Sequence, residues 1–169
     1  MATTILITGA TGLIGFRILL AALAAGHNVR YTVRSEEKAK IVSSNPVVQK
    51  LAPGSRLSSA IIPDFSAEGA FDSALQGVTH VIHAGSPVPF PTFNPMTQVF
   101  QPTVKNTSGL LSSALKVPSV QRVIITSSIV GNIGLVPPPT PVSASTRVPL
   151  PNPIPSTFGD VFEVSFQIL

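Results

Sequence analysis

Short apolar runs alternate along this chain with longer stretches of helical periodicity, the pattern of repeated β-α units on a parallel sheet. A first strand is predicted at Thr3–Thr8, followed by a helix over about 13–25. That helix is apolar almost all round, as expected if it lies buried between the sheet and its neighbours. Gly26 stands where a helix commonly ends, and a second strand follows at Val29–Val33. Ser35-Glu36-Glu37-Lys38 then opens a short helix with Ser35 as its cap. A third strand lies near Leu57–Ile62, a helix over about 67–75, and a fourth strand at Thr79–Ala84. Residues 85–95 carry four prolines and read as a loop. A long helix over about 96–116 contains Pro102, which removes one backbone hydrogen bond or marks a kink. The fifth strand is Gln121–Thr126, with Ser127-Ser128 at its carboxyl end. Right-handed crossovers through these units give an α/β fold, a doubly wound parallel sheet of order 3-2-1-4-5.

The character of the chain changes after Gly134. Eight of the 17 prolines fall between Pro137 and Pro155, among small polar residues, which predicts an extended lid or linker loop. A P-x-x-P ligand is the lesser reading of the same residues. The division expected is a β-α domain over 1–134 and a Pro-rich loop with a short apolar end over 135–169.

Composition narrows the classes. Charged residues make up only 11% of the chain, against roughly 25% in an ordinary globular domain. Part of the surface is therefore expected to be covered by a partner or by further chain. The net charge of +4 is scattered rather than clustered, so no nucleic-acid surface is expected. The Arg30, Arg34 and Lys38 group suits a phosphorylated small molecule better. With no cysteine there are no disulfides and no thiolate metal sites, which fits a cytoplasmic setting. The apolar stretch 13–25 lacks a basic leader and is interrupted by Arg17, so neither a secretion signal nor a membrane span is expected.

Candidate chemistry begins at Thr8-Gly9-Ala10-Thr11-Gly12-Leu13-Ile14-Gly15, a glycine turn between the first strand and the first helix. A chain needs glycines at this spacing to bring its backbone against a pyrophosphate. One makes the turn, one removes a Cβ that would block the phosphate, and the last lets helix and strand pack closely. The helix N-terminus adds free N–H groups and a partial positive charge. Folds that bind NAD place an acid at the end of the second strand for the ribose 2′-hydroxyl. Here that strand ends Tyr31-Thr32-Val33-Arg34 with no acid, and Arg34, with Lys38 nearby, suits the 2′-phosphate of NADP instead. NAD is the lesser alternative. Asp64-Phe65 could bracket an adenine, and Ala84-Gly85-Ser86 brings small residues to the carboxyl edge of the sheet. His83 suits a packed core histidine better than a catalytic one, and His27 and His80 read as structural.

Together the glycine turn, Val33-Arg34, Asp64-Phe65, Val81-Ile82-His83-Ala84-Gly85-Ser86-Pro87, Pro102-Thr103-Val104 and Val123-Ile124-Ile125-Thr126-Ser127-Ser128 resemble the extended short-chain dehydrogenase/reductases of the NAD-dependent epimerase/dehydratase type. Within them the chain is most similar to the dihydroflavonol-reductase-like and fungal aldehyde/ketone-reductase-like branch. The resemblance implies a Rossmann-like sheet and NADP-dependent hydride transfer to a ketone or aldehyde. It also implies cofactor contacts from Gly9, Thr11, Gly12, Leu13, Ile14, Gly15, Arg34, Lys38, Asp64, Phe65, Ala84, Gly85 and Ser86. Ser128 matches the family serine that bonds the substrate carbonyl, and the helix over 96–116 matches one that joins a dimer interface, which implies a homodimer. The family's proton donor is the tyrosine of a Y-x-x-x-K motif. This chain has a single tyrosine, Tyr31, on the second strand, and no lysine after Lys116. The expectation is a truncated chain, without Y-x-x-x-K and without the C-terminal substrate lobe, impaired in turnover. A small carbonyl or alcohol would be its substrate if it is active. A non-catalytic NADP-binding sensor or interaction module is the alternative, and a fragment unable to hold cofactor a third.

Overall fold

In a computed structural model the chain is described at residues 3–88, 90, 92–127, 141 and 143. The Pro-rich stretch 137–155, apart from Pro141 and Ser143, and the apolar end 158–169 lie outside the described residues. The described residues fall into two compact units, one of 3–86 with 108–125, the other of those described within 87–107 and after 125.

The first unit holds a five-stranded sheet of β1 (Thr4–Thr8), β2 (Asn28–Val33), β3 (Leu57–Ile61), β4 (His80–His83) and β5 (Arg122–Ile125). Every pairing is parallel and the order is β3-β2-β1-β4-β5, the Rossmann-like arrangement expected. β1 is central, with Ile7 opposite Tyr31 on one side and Thr8 opposite His83 on the other. Because side chains alternate across a strand, β1 feeds two cores. Ile5 and Ile7 pack with Val29, Tyr31 and Val33 against Leu19 and Leu23. Leu6 faces the other way, with Val81, Phe71, Leu75, Val78 and Leu110.

Between β1 and β2 runs α1 (Leu13–Ala24), closed by Gly26 N–H bonding to Leu23 O and His27 N–H to Ala22 O. Only the stripe Gly15, Leu19, Ala22 and Leu23 is buried, so α1 is not enclosed all round as its composition suggested. That stripe has the period of one helix face, and Leu13 and Ile14 stay exposed. After β2, the Ser35 hydroxyl accepts from Lys38 N–H and caps α2 (Glu36–Ser43), and Asn45 caps α3 (Pro46–Lys50).

The helix expected at 67–75 does not form. The segment is a run of tight turns, with Ala70 N–H to Ala67 O, Asp72 to Gly69, Gln76 to Ser73 and Val78 to Leu75. Gly69, inside the segment, takes a φ of +68°, which a continuous right-handed helix excludes. Arg30 on β2 reaches over and donates from Nη1 to Ala74 O at 2.7 Å and Gln76 O at 2.8 Å. Those carbonyls are thus satisfied without a helix, and Arg30 is a structural clamp instead of part of a phosphate-binding group.

The second unit contains Phe90 and Phe93, edge to face at 5.3 Å, and a wide helical segment, Pro95–Phe100. Asn94 Oδ1 accepts from Thr97 N–H, while Gln98 Oε1 accepts from Asn94 N–H, a reciprocal cap. An α-helix, α4 (Gln101–Leu115), continues from it. The single helix expected over 96–116 is therefore a π-helical turn followed by an α-helix. The change falls at Pro102, which has no N–H to give and whose ring crowds the preceding turn. Among the described residues no helix is long and apolar enough to cross a membrane, and no His/Cys/Asp/Glu group could hold a metal.

Arg30→Met removes both clamp bonds while keeping the aliphatic stem. It should cost about 1–2 kcal/mol in urea unfolding, the scale of a charged donor to carbonyls at a partly exposed site. An unchanged midpoint would mean that the turns at 64–78 hold themselves.

Candidate functional site

At the carboxyl end of β1 the chain reverses at Gly9, whose φ of +74° falls in the region that side chains avoid. Gly12 N–H closes the turn onto Gly9 O at 2.9 Å, and Phe16 N–H bonds back to Gly12 O. Gly12 is thus the cap of α1, with no side-chain bond and no acid in the first turn. The next N–H groups, from Leu13, Ile14 and Gly15, have no carbonyl behind them within the helix. Thr11, Gly12, Leu13 and Ile14 are exposed, with Leu13 at 87%. An uncapped helix start at an exposed backbone turn is built to take an anion.

The glycines divide the work by space. A Cβ on Gly9 would stand 2.6 Å from Ala84 O and 2.7 Å from Gly85 Cα, both backbone atoms that cannot yield. A Cβ on Gly15 would run into the Gly9 carbonyl. On Gly85 it would meet Gly9 N at 2.9 Å. Gly12 differs, because its added Cβ would approach only Gly9 O, at 3.3 Å, and otherwise project into open space. That open space over an uncapped helix start is where a pyrophosphate fits, so the cradle suits a dinucleotide.

β1 and β4 are also joined by side chains. Thr8 Oγ1 lies 2.7 Å from His83 Nδ1 and accepts from Gly85 N–H at 3.2 Å. His83 is 2% exposed, and burial lowers its pKa from 6.5 to about 4. It is a neutral, packed histidine at physiological pH and does not suit the role of general acid. His27 Nδ1 bonds Thr3 Oγ1 and His80 Nδ1 bonds Thr79 Oγ1, both local structural contacts.

At the far side of the turn, β2 is followed by Arg34, which is exposed and lies over the Phe65 ring with Cζ 5.7 Å from its centre. Phe65 also tilts against Phe71 at 5.5 Å. Asp64 Oδ1 accepts from Ser66 N–H, which fixes the bend leaving β3. Lys38 sits exposed in the first turn of α2, beside Glu36 and Glu37. An open groove of about 350 Å³ runs beside the glycine turn, with Thr11, Leu13, Phe16, Arg17, Ile41 and Asn45 on its walls. A wider one, about 610 Å³, lies between α2, α3 and β3 and includes no residue of the turn.

The structure therefore gathers Gly9, Gly15, Ala84 and Gly85 at one edge, and Arg34 with Phe65 at another place on the same sheet edge. Ser86 follows Gly85, half-buried. Ser128 lies outside the described residues. Tyr31 is 1% exposed and donates to Ala39 O at 2.8 Å, with its pKa raised by burial, so it cannot serve as a proton donor at this edge. Sequence reasoning passed over Thr8. Its signal was there: a hydroxyl at the carboxyl end of the strand, after three apolar residues, in register with a histidine closing another strand.

A doubly wound parallel sheet with a glycine turn at the carboxyl end of its central strand defines a dinucleotide-binding domain. The pattern of the NAD dependent epimerase/dehydratase family matches residues 5–154, and the chain belongs to that family. It is 45% identical over 152 residues to the NAD-dependent epimerase/dehydratase ALT6 of Alternaria alternata, covering 86% of this chain and 43% of that protein. To the ketoreductase CTB6 of Cercospora nicotianae it is 36% identical over 155 residues, again 86% and 43%. Gre2 of Candida albicans, solved in complex with NADPH, is similar with a TM-score of 0.67 and 28% identity, over 76% of this chain and 38% of that one. The chain thus spans less than half the length of the curated relatives it matches.

His83 also sets a pH dependence. Above pH 6.5 it is neutral both folded and unfolded, and adds nothing. Between 6.5 and about 4 the unfolded chain takes up a proton that the folded one refuses, so stability falls as pH falls. The loss should approach about 3 kcal/mol at the acid end of that window. Urea unfolding of the wild type and of His83→Gln, at neutral pH and at about pH 4, checks it. Equal acid sensitivity in the two would assign the loss to other groups.

Proposed function

We propose that this chain is the NADP-binding part of a reductase that passes hydride to the carbonyl carbon of a ketone or aldehyde. The carrying observation is the cradle. An uncapped α1 start stands over the interlocked Gly9, Gly15 and Gly85, and a guanidinium, Arg34, follows β2 where an NAD-binding domain would offer a carboxylate. The similarity to a ketoreductase and to a protein crystallised with NADPH supports the same reading. In it the N–H groups of Leu13, Ile14 and Gly15 bind the pyrophosphate, with Thr11 in the same turn. Arg34 and Lys38 take the 2′-phosphate, Asp64 and Phe65 flank the adenine, and Ala84, Gly85 and Ser86 line the ribose side. The nicotinamide supplies the hydride. Ser128 would hold the carbonyl oxygen, and a homodimer through the 96–116 region and a cytoplasmic setting complete the proposal.

These 169 residues contain one tyrosine, which is buried on the α1 side of the sheet, and no lysine after Lys116. Turnover by them alone is therefore proposed to be slow while cofactor binding is retained. The burial of Tyr31 favours, as a second reading, a module that binds NADP without catalysis.

Titration of the purified chain with NADPH and NADH, followed by fluorescence, tests the first step, and ketone-dependent NADPH oxidation the second. Arg34→Glu should weaken NADPH by about tenfold or more and NADH by much less, since only NADPH carries the group that the guanidinium grips. Equal weakening of both would sink the 2′-phosphate assignment. Binding without any oxidation would favour the non-catalytic module.

A further inference from the structure

The parallel ladder between β1 and β4 ends at the pair Thr8 and His83. Beyond it the two chains part, one into the glycine turn and one into Ala84-Gly85-Ser86, and they nonetheless remain in backbone contact. Gly9 and Gly85 have no side chains, so nothing of their own locks them together. The Thr8 hydroxyl does. Its oxygen accepts from Gly85 N–H, which carries the pairing past the end of the ladder, and its partner on the other side is His83 Nδ1. With one lone pair given to Gly85, the arrangement that uses every group has the Thr8 O–H donating to the neutral imidazole. Thr8 is fully buried and His83 almost so, which leaves neither of them an exposed surface for a ligand.

We propose that Thr8 and His83 are positioning residues for the dinucleotide: through the Thr8 hydroxyl they hold Ala84–Ser86 against the Gly9 turn at the spacing the cradle needs. The clasp deepens the NADP reading and rests on it. Its chemistry suits the task. Threonine is stiff at χ1, so its oxygen is pointed by the strand itself. The Thr8–His83 bond is buried, where a lost partner is not replaced, and it holds the hydroxyl that the half-buried Gly85 N–H meets. A purely stabilising pair would alter how much protein folds and leave the affinity of the folded protein alone. A positioning pair must alter the affinity.

The experiment compares the full chain with Thr8→Val, which keeps the shape and removes the hydroxyl, and Thr8→Ser, which restores the oxygen. Affinities for NADPH and NADH are read by fluorescence, and exchange of the Gly85 amide by NMR. Thr8→Val should weaken both cofactors by about tenfold, because the pyrophosphate is common to them, and Thr8→Ser should recover most of the loss. Gly85 should exchange slowly in the wild type and much faster in Thr8→Val. A folded Thr8→Val protein with wild-type affinities overturns the proposal, however far its melting temperature drops. If the wild type binds neither cofactor, the NADP reading fails. The clasp is then judged by exchange alone, and equal Gly85 rates in wild type and variant overturn it. Should Thr8→Val not fold, Gly85 exchange in the wild type decides. Protection like that of interior strand amides supports the clasp, and loop-like exchange overturns it.

Discussion

Two stretches of backbone, one leaving β1 and one leaving β4, touch without side chains between them, and the site depends on that contact. Gly9 lies against Ala84 and Gly85, and Gly15 of α1 lies against the carbonyl of Gly9. Three chain segments thus meet at a point where any Cβ would separate them. The closeness lets α1 begin directly at the sheet edge with its first N–H groups uncapped. It also explains why β1 is central: only a strand with parallel neighbours on both sides can set a turn against β4 while packing α1 over β2. A phosphate-binding turn of this kind is a consequence of packing as much as of charge.

Electrostatics then bears on the proposed choice of cofactor. A helix start favours a pyrophosphate whichever nucleotide carries it, so in the proposed reading discrimination falls to Arg34, just after β2, where an NAD-binding domain would offer an acid. The stacking of Arg34 on Phe65 joins the ends of β2 and β3 into one surface. The basic residues of that region differ in their surroundings. Arg30, four positions earlier, spends its guanidinium on two main-chain carbonyls of the turns at 64–78. Arg30 and Arg34 carry the same chemical group; what each does follows from its place, Arg30 within β2 and Arg34 just past its end.

Where the sequence reading and the structure part, the causes are local. Residues 67–75 have the apolar spacing of a helix, and Phe71, Ala74 and Leu75 are indeed buried. Gly69 turns the backbone left-handed and Arg30 bonds the carbonyls of Ala74 and Gln76, so the same burial is reached through turns. Pro102 was legible as a perturbation, yet its outcome, a π-helical turn over Pro95–Phe100, depended on how Asn94 and Gln98 capped the start. α1 looked enclosed because its residues are small and apolar, whereas enclosure is a matter of what packs on the second face.

By itself the sequence determined where the strands lie, the glycine turn and the identity of the residue that follows β2, since periodicity and glycine spacing are local properties that a chain carries in its order of residues. Only the tertiary structure decided what the buried polar groups do. Thr8 and His83 are 75 residues apart along the chain and become partners solely because β1 and β4 are neighbours in register. Tyr31 is excluded from chemistry at the turn because the alternation of β2 points it into the α1-side core. A side chain's type is written in the sequence, and its partner is set by which strand is folded next to it.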